Sequence, residues 1–236
     1  MNEYHQELVI LLIKNSGKGT SQQLTRQKNY VGTSKKYYTI SNPVKKKIVK
    51  DWIRKNATLN LPEFTELLNS LCQGESHDEI TLGGMFLKAL PKLRKQLKPD
   101  LINNWLENTE GWAEIDSLCQ SVFPAEQILN DWTAWKKLIS GLLKSNKIQK
   151  RRASLVLLTG PVKKSPDVRL SGLAFANISV LTAEKAILIT KAISWLLRDL
   201  IKNHRKEVAD YLKQNSDKLP KIAIRETMRK LRTGRK

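Results

Sequence analysis

Cysteine and histidine are scarce in this chain of 236 residues, at two and three. Cys72 and His77 lie five positions apart, but no second ligand pair accompanies them, so a zinc site is not expected. With so few histidines, no Ser-His-Asp or Cys-His arrangement leaves a local signature. Phosphate-cradling glycine loops are missing too. The string GKGT within NSGKGTS, residues 15–21, lacks the upstream glycine spacing and the strand of a P-loop and reads as a helix-joining loop. Neither a metal nor a cofactor is therefore expected. Long apolar runs are absent: LVILLI at 8–13 is far short of the roughly 20 residues that span a bilayer. Acidic and polar residues precede it, where a signal peptide would carry a basic segment. The expectation is a soluble, cytoplasmic protein, monomeric and without a membrane partner.

Acidic residues are outnumbered. Lys plus Arg number 42 against 22 Asp plus Glu, a net charge of +20. Such an excess points to a polyanionic partner, nucleic acid first and an anionic membrane surface second. Period-2 alternation is scarce as well; only KKYYTIS at 35–41 has strand character. What remains is a succession of helical segments. They are expected at 2–15, 42–56, 60–72, 76–90, 98–108, 110–123, 126–144, 147–158, 182–203, 206–215 and 220–232. Asn42 serves as a cap with Pro43 at the first helical position, and Ser76 with Glu79 forms a capping box. GPVKKSPDVRLSG at 160–172 reads as a basic loop, and residues 232–236 as a frayed basic tail.

The helices fall into pairs joined by short loops, with a pair spacing of about 35 to 45 residues, as in HEAT-like repeats. The predicted fold is all-α, a curved α-solenoid of HEAT-like repeats with a concave basic groove. No Pro/Gly/Ser linker divides the chain, so a single domain over 1–236 is expected.

Two stretches stand out chemically. EGWAEID at 110–116 places Trp112 four residues before Asp116, which stacks an indole and a carboxylate on one helix face. In the segment 183–202, Lys191, Arg198 and Lys202 fall within about 40° of each other around the helix, with Trp195 about 20° beyond. Cations bind phosphates, and an aromatic among them can touch sugars or bases. A boundary tryptophan covered by lysine stems is the alternative reading. Arg151 and Arg152 in QKRRASLVLL either clamp a phosphate bidentately or open a solvated helix. Trp52, Trp105, Trp132 and Trp135 read as packing residues.

GWAEID, QKRRASL and KAISWLLRD, in that order, resemble the AlkD-like DNA alkylation repair family. That family's pattern has Trp-x-x-x-Asp, then a helix with Arg followed by Ala, then KAIGW-x-LRE. Here Ser194 replaces the glycine, Asp199 replaces the glutamate, and Lys147 and Ile148 stand where relatives often carry an aromatic. LPKIAIRETMRKL resembles the family's ending, and the resemblance runs from about residue 25 onward.

The resemblance implies HEAT-like repeats curved around duplex DNA. It also implies excision of N3- or N7-alkylated purines by hydrolysis of the N-glycosidic bond, on a lesion left in the stack. Trp112 and Trp195 match the tryptophans that pack on the lesion's deoxyribose, and Asp116 the catalytic carboxylate. Arg152 and Arg198 match arginines that grip the backbone, and Tyr30 a DNA-contacting tyrosine. Lys191, Lys202 and Arg151 complete the expected DNA-binding set. The competing expectations are a non-catalytic binder of bent, branched or damaged DNA on the same scaffold, and a scaffold for acidic protein.

Overall fold

The structure, a computed structural model, describes residues 2–235. Among them are fifteen helices and no strand; KKYYTIS contributes one isolated bridge, Lys36 to Ser76. The all-α expectation holds. The chain divides into two compact units, one up to Leu118 and one from Cys119 onward.

Unit 1 contains α1 (Glu3–Lys14), α2 (Ser21–Val31), α3 (Asn42–Lys55), α4 (Leu61–Cys72), α5 (His77–Ala89), α6 (Pro91–Arg94), α7 (Leu101–Trp105) and most of α8 (Trp112–Cys119). Its core gathers Phe64, Leu67, Leu68 and Leu71 of α4 with Ile80, Leu82, Phe86 and Leu87 of α5, all without exposed surface. Each such side chain contributes about 1.5–3 kcal/mol by leaving water. Trp52 packs edge-on to Phe86, ring centroids 5.2 Å apart, and Trp52 and Trp105 are both buried, as expected of core anchors.

Unit 2 contains α9 (Ala125–Asn130), α10 (Trp132–Leu143), α11 (Ile148–Lys164), α12 (Val168–Leu181), α13 (Ile187–Leu200), α14 (Arg205–Asn215) and α15 (Lys221–Thr233). Helices 10 and 11, 12 and 13, and 14 and 15 form successive pairs, and α11, α13 and α15 pack side by side. The first helix of each pair opens at Trp132, Val168 and Arg205, a step of about 36 residues. In α13, Ile189, Ala192, Ile193, Leu196, Leu197 and Leu200 are fully buried, the 3.6-residue period of one apolar stripe.

Several boundaries differ from the sequence reading. The expected helix 126–144 is broken at Asp131, whose carboxylate accepts from the Ala134 N–H and caps α10. Ser41, not Asn42, is the cap residue of α3, and Pro43 sits one position further in. The segment 160–172 is largely helical. Burial of Leu158, Pro161 and Val162 carries α11 through its proline, and Asp167 caps α12 by accepting from Arg169 N–H at 2.9 Å. α2 escaped notice because only Val31 in it is buried; its signal is the Thr20–Gln23 capping box. The capping box of Ser76 and Glu79 forms as expected. Helix α15 runs into the expected basic tail as far as Thr233; Lys236 lies outside the described residues.

Candidate functional site

In unit 1, EGWAEID forms the start of α8. Glu114, Ile115, Leu118 and Cys119 are buried, while Trp112, Ala113, Asp116 and Ser117 share the half-exposed side. The i, i+4 relation between Trp112 and Asp116 is therefore realised on one face of a helix. The indole is held: Trp112 Nε1 donates to the Tyr30 carbonyl oxygen at 2.7 Å. The Tyr30 ring, itself 73 % exposed, stands edge-on to it with centroids 5.5 Å apart. Of the expected site residues, Tyr30, Trp112 and Asp116 thus gather at the junction of α2 and α8.

That junction is tight because Gly111 has no side chain. A Cβ there would lie 2.0 Å from the Val31 carbonyl oxygen, so only glycine lets the two segments meet. Glu110 clamps the same contact from the side. Its carboxylate accepts from the Ser34 N–H at 2.5 Å and from the hydroxyls of Thr33 and Ser34, each at 3.1 Å. Burial pushes the Glu110 carboxyl up, but these donors and Lys35 outweigh it and hold it below the usual value.

Beneath α8, Glu114 is completely buried. Its carboxylate accepts from His77 Nδ1 at 3.1 Å and from the Glu110 backbone N–H at 2.8 Å. His77 stacks on Tyr37 with ring centroids 5.0 Å apart. The two residues that follow it are anchored as well. Asp78 lies 2.7 Å from Lys45 Nζ and accepts from Tyr38 N–H, and Glu79 accepts from His5 at 2.8 Å. The triplet His77-Asp78-Glu79 thus ties the start of α5 to α8, α3 and α1. Sequence reasoning passed over this polar network. Its one legible signal was the run of three ionisable residues that opens α5.

Unit 2 holds the other expected residues. Lys191 of α13 is exposed, and Trp195 and Arg198 are half-buried at the margin of the apolar stripe. Lys202, also exposed, lies in the turn after α13, because the helix expected over 182–203 runs only from Ile187 to Leu200. Arg198 Nε donates to the Ser194 carbonyl oxygen at 3.1 Å, and its NH2 lies 3.4 Å from Glu226 of α15. Arg151 forks onto Glu184, with contacts of 2.5 and 3.1 Å, and donates to the carbonyls of Ser145 and Asn146 in the loop after α10. Arg152 is buried and donates to the Leu188 carbonyl oxygen at 2.6 Å, joining α11 to the start of α13. Much of both guanidinium groups is therefore used inside the unit, unlike the two lysines.

Residues 16–231 match the model of the DNA alkylation repair enzyme family. The chain belongs to that family. Membership assigns it to DNA alkylation repair, in line with the motifs in α8, α11 and α13. Among solved structures, it is similar to a "Predicted DNA alkylation repair enzyme from Enterococcus faecalis", at 15 % identity and a TM-score of 0.70. That likeness covers 93 % of this chain and 99 % of the other, and it speaks for a shared fold. No curated protein matches the chain. Among the described residues, no helix is long and apolar enough to cross a membrane.

Proposed function

We propose that this member of the family is a DNA glycosylase that hydrolyses the N-glycosidic bond of N3- or N7-alkylated purines in duplex DNA. One observation carries the reading: a carboxylate and a pinned indole stand side by side on the half-exposed face of α8. Asp116 lies one helical turn after Trp112, whose Nε1 is held by the Tyr30 carbonyl oxygen at 2.7 Å.

A purine alkylated at N3 or N7 carries a positive charge and already leaves easily, so no strong general acid is required. As the C1′–N bond breaks, its electron pair neutralises the purine and the sugar becomes oxocarbenium-like. A carboxylate beside that cation stabilises it and orients the attacking water, whose proton it accepts as the new C1′–O bond forms. Asp116 is assigned this role. Indole faces stabilise a cation and exclude water, the role assigned to Trp112 and Trp195. The lesion is taken to stay in the stack, with attack from the backbone side.

Phosphate contacts are assigned to Lys191, Lys202 and Arg198, with Tyr30 at the exposed edge of unit 1. Arg151 and Arg152 belong to the same proposal, each with part of its guanidinium already bound within the protein. The partner is double-stranded DNA bearing alkylated purines, and the protein acts as a monomer, a single domain and a cytoplasmic enzyme without a cofactor.

A base-release assay on methylated duplex DNA tests the reading. The wild type should free 3-methyladenine or 7-methylguanine. Asp116→Asn should slow release by about 10² or more with duplex binding retained, and Trp195→Ala should slow it too. Undiminished release by Asp116→Asn removes the role given to that residue. Tight binding with no excision of either base would instead leave a non-catalytic binder of bent or branched DNA.

A further inference from the structure

We infer that Glu226 is a positioning residue that presets the Arg198 guanidinium for a nucleic-acid phosphate. The inference rests on the reading of α13 as a DNA-binding helix. It concerns two neighbouring helices of unit 2, α13 and α15. Ser194, fully buried, donates its hydroxyl to Glu226 Oε2 at 2.5 Å. The same carboxylate oxygen lies 3.4 Å from Arg198 NH2. Arg198 Nε donates to the Ser194 carbonyl oxygen at 3.1 Å. One residue therefore acts twice: the backbone of Ser194 holds the inner edge of the guanidinium, and its hydroxyl holds the carboxylate that faces the outer arm. Lys230 donates to the Arg198 carbonyl oxygen at 2.7 Å, which fixes the two helices against each other at this point.

An acid is out of place here on charge alone. Glu226 is the one acidic residue of α15, whose exposed side chains include Lys221, Arg225, Arg229 and Arg232. By Coulomb's law it weakens the attraction of this helix for a polyanion. Its benefit is orientational. A free arginine samples many rotamers and loses them when it grips a phosphate. A guanidinium held at Nε and faced at NH2 has lost part of that freedom beforehand. The NH2 contact is an ion-pair distance and not a hydrogen-bonded fork, so it orients the group without consuming the NH1 edge. The buried Ser194 hydroxyl keeps the half-exposed carboxylate from turning to solvent.

Charge and orientation predict opposite effects, which makes the inference testable. Binding of the full chain to fluorescent duplex DNA is measured for Ser194→Ala, Glu226→Ala and Glu226→Gln, each with Arg198 present and with Arg198→Ala. Ser194→Ala alters no charge and should weaken binding by about fivefold. Glu226→Ala should weaken it by a similar factor although it removes a negative charge. Glu226→Gln, which can still accept from Ser194, should fall between it and the wild type. In the Arg198→Ala background, Ser194→Ala should change nothing and Glu226→Ala should tighten binding.

Binding as tight as wild type by both Ser194→Ala and Glu226→Ala, with Arg198 present, overturns the inference. So does an equal loss in the Arg198→Ala background. If the wild type excises alkylated bases while those variants match it, the inference alone fails. If the wild type binds duplex DNA without excising a base, the glycosylase reading fails and the affinities still decide the inference. If the wild type does not bind duplex DNA, both fall.

Discussion

The Trp112 indole donates its N–H to the backbone of Tyr30, 82 positions away in the chain, and the Tyr30 ring stands at 89° to it. An indole fixed by its one polar atom has a fixed face direction. The orientation of the aromatic surface beside Asp116 is therefore set by the fold.

Replacing Trp112 by Phe tests that restraint. The ring remains but its donor goes. Folding stability should fall by about 0.5–1.5 kcal/mol, the worth of one hydrogen bond. Base release should fall further, on the order of 10- to 100-fold, because the aromatic face is free to move. Denaturant titration and the base-release assay give the two numbers. A loss of activity no larger than the loss of stability explains would show that the fixed ring matters little.

Close helix contact makes a second prediction. At Gly84 of α5 an added Cβ would stand 2.2 Å from the Ser117 carbonyl oxygen, a backbone atom of α8. Gly84→Ala should destabilise unit 1 by about 1–3 kcal/mol and disturb the start of the Trp112–Asp116 helix. Gly172 lies in α12 with nothing within 4 Å of its would-be Cβ. Gly172→Ala should stabilise by about 0.5–1 kcal/mol. Thermal midpoints of the two variants should move in opposite directions.

The buried Glu79–His5 pair makes stability depend on pH. Burial raises the Glu79 carboxyl, yet the bonds from His5 and Ser76 together bring it below its ordinary value of 4.5. A depressed acid contributes stability that is full above the ordinary value and lost as pH falls through the lower folded-state value. The wild type should therefore lose stability steeply on acidification from about pH 5 to pH 3. His5→Gln should lower stability at neutral pH and flatten that acid limb, measured by denaturant titration across the range.

Lys191 of α13 and Lys202 of the turn that follows it are exposed and are not tied up as Arg151 is. Each should act as an independent phosphate contact. Converting either to Gln should weaken duplex binding across sequences and reduce the slope of log affinity against log salt by about one. A slope unchanged in both variants would place the phosphate track elsewhere.

Much of the fold was legible because it rests on local patterns. The apolar stripe of α13, the capping box of Ser76 and Glu79, and the buried Trp52 and Trp105 follow from spacing and residue type. The misses have physical causes. α2 is polar with one buried residue, so periodicity had nothing to register. Pro161 stays inside α11 because burial of its neighbours outweighs the lost hydrogen bond, which no local rule weighs. At the candidate site, the Trp112–Asp116 spacing and the cations of α13 could be read from the chain. That Arg152 would be buried against the Leu188 carbonyl could not.

The sequence by itself determined that this protein is helical, strongly basic and a bearer of the motifs of DNA alkylation repair, since composition, period and motif order are properties of the chain. It could not show which donors Glu110 and Glu114, two carboxylates of one short stretch, would meet. Only the tertiary structure did that. The donors that claim Glu110 and Glu114 include Ser34 and His77, residues distant along the chain that meet them only when α2 and α5 pack against α8.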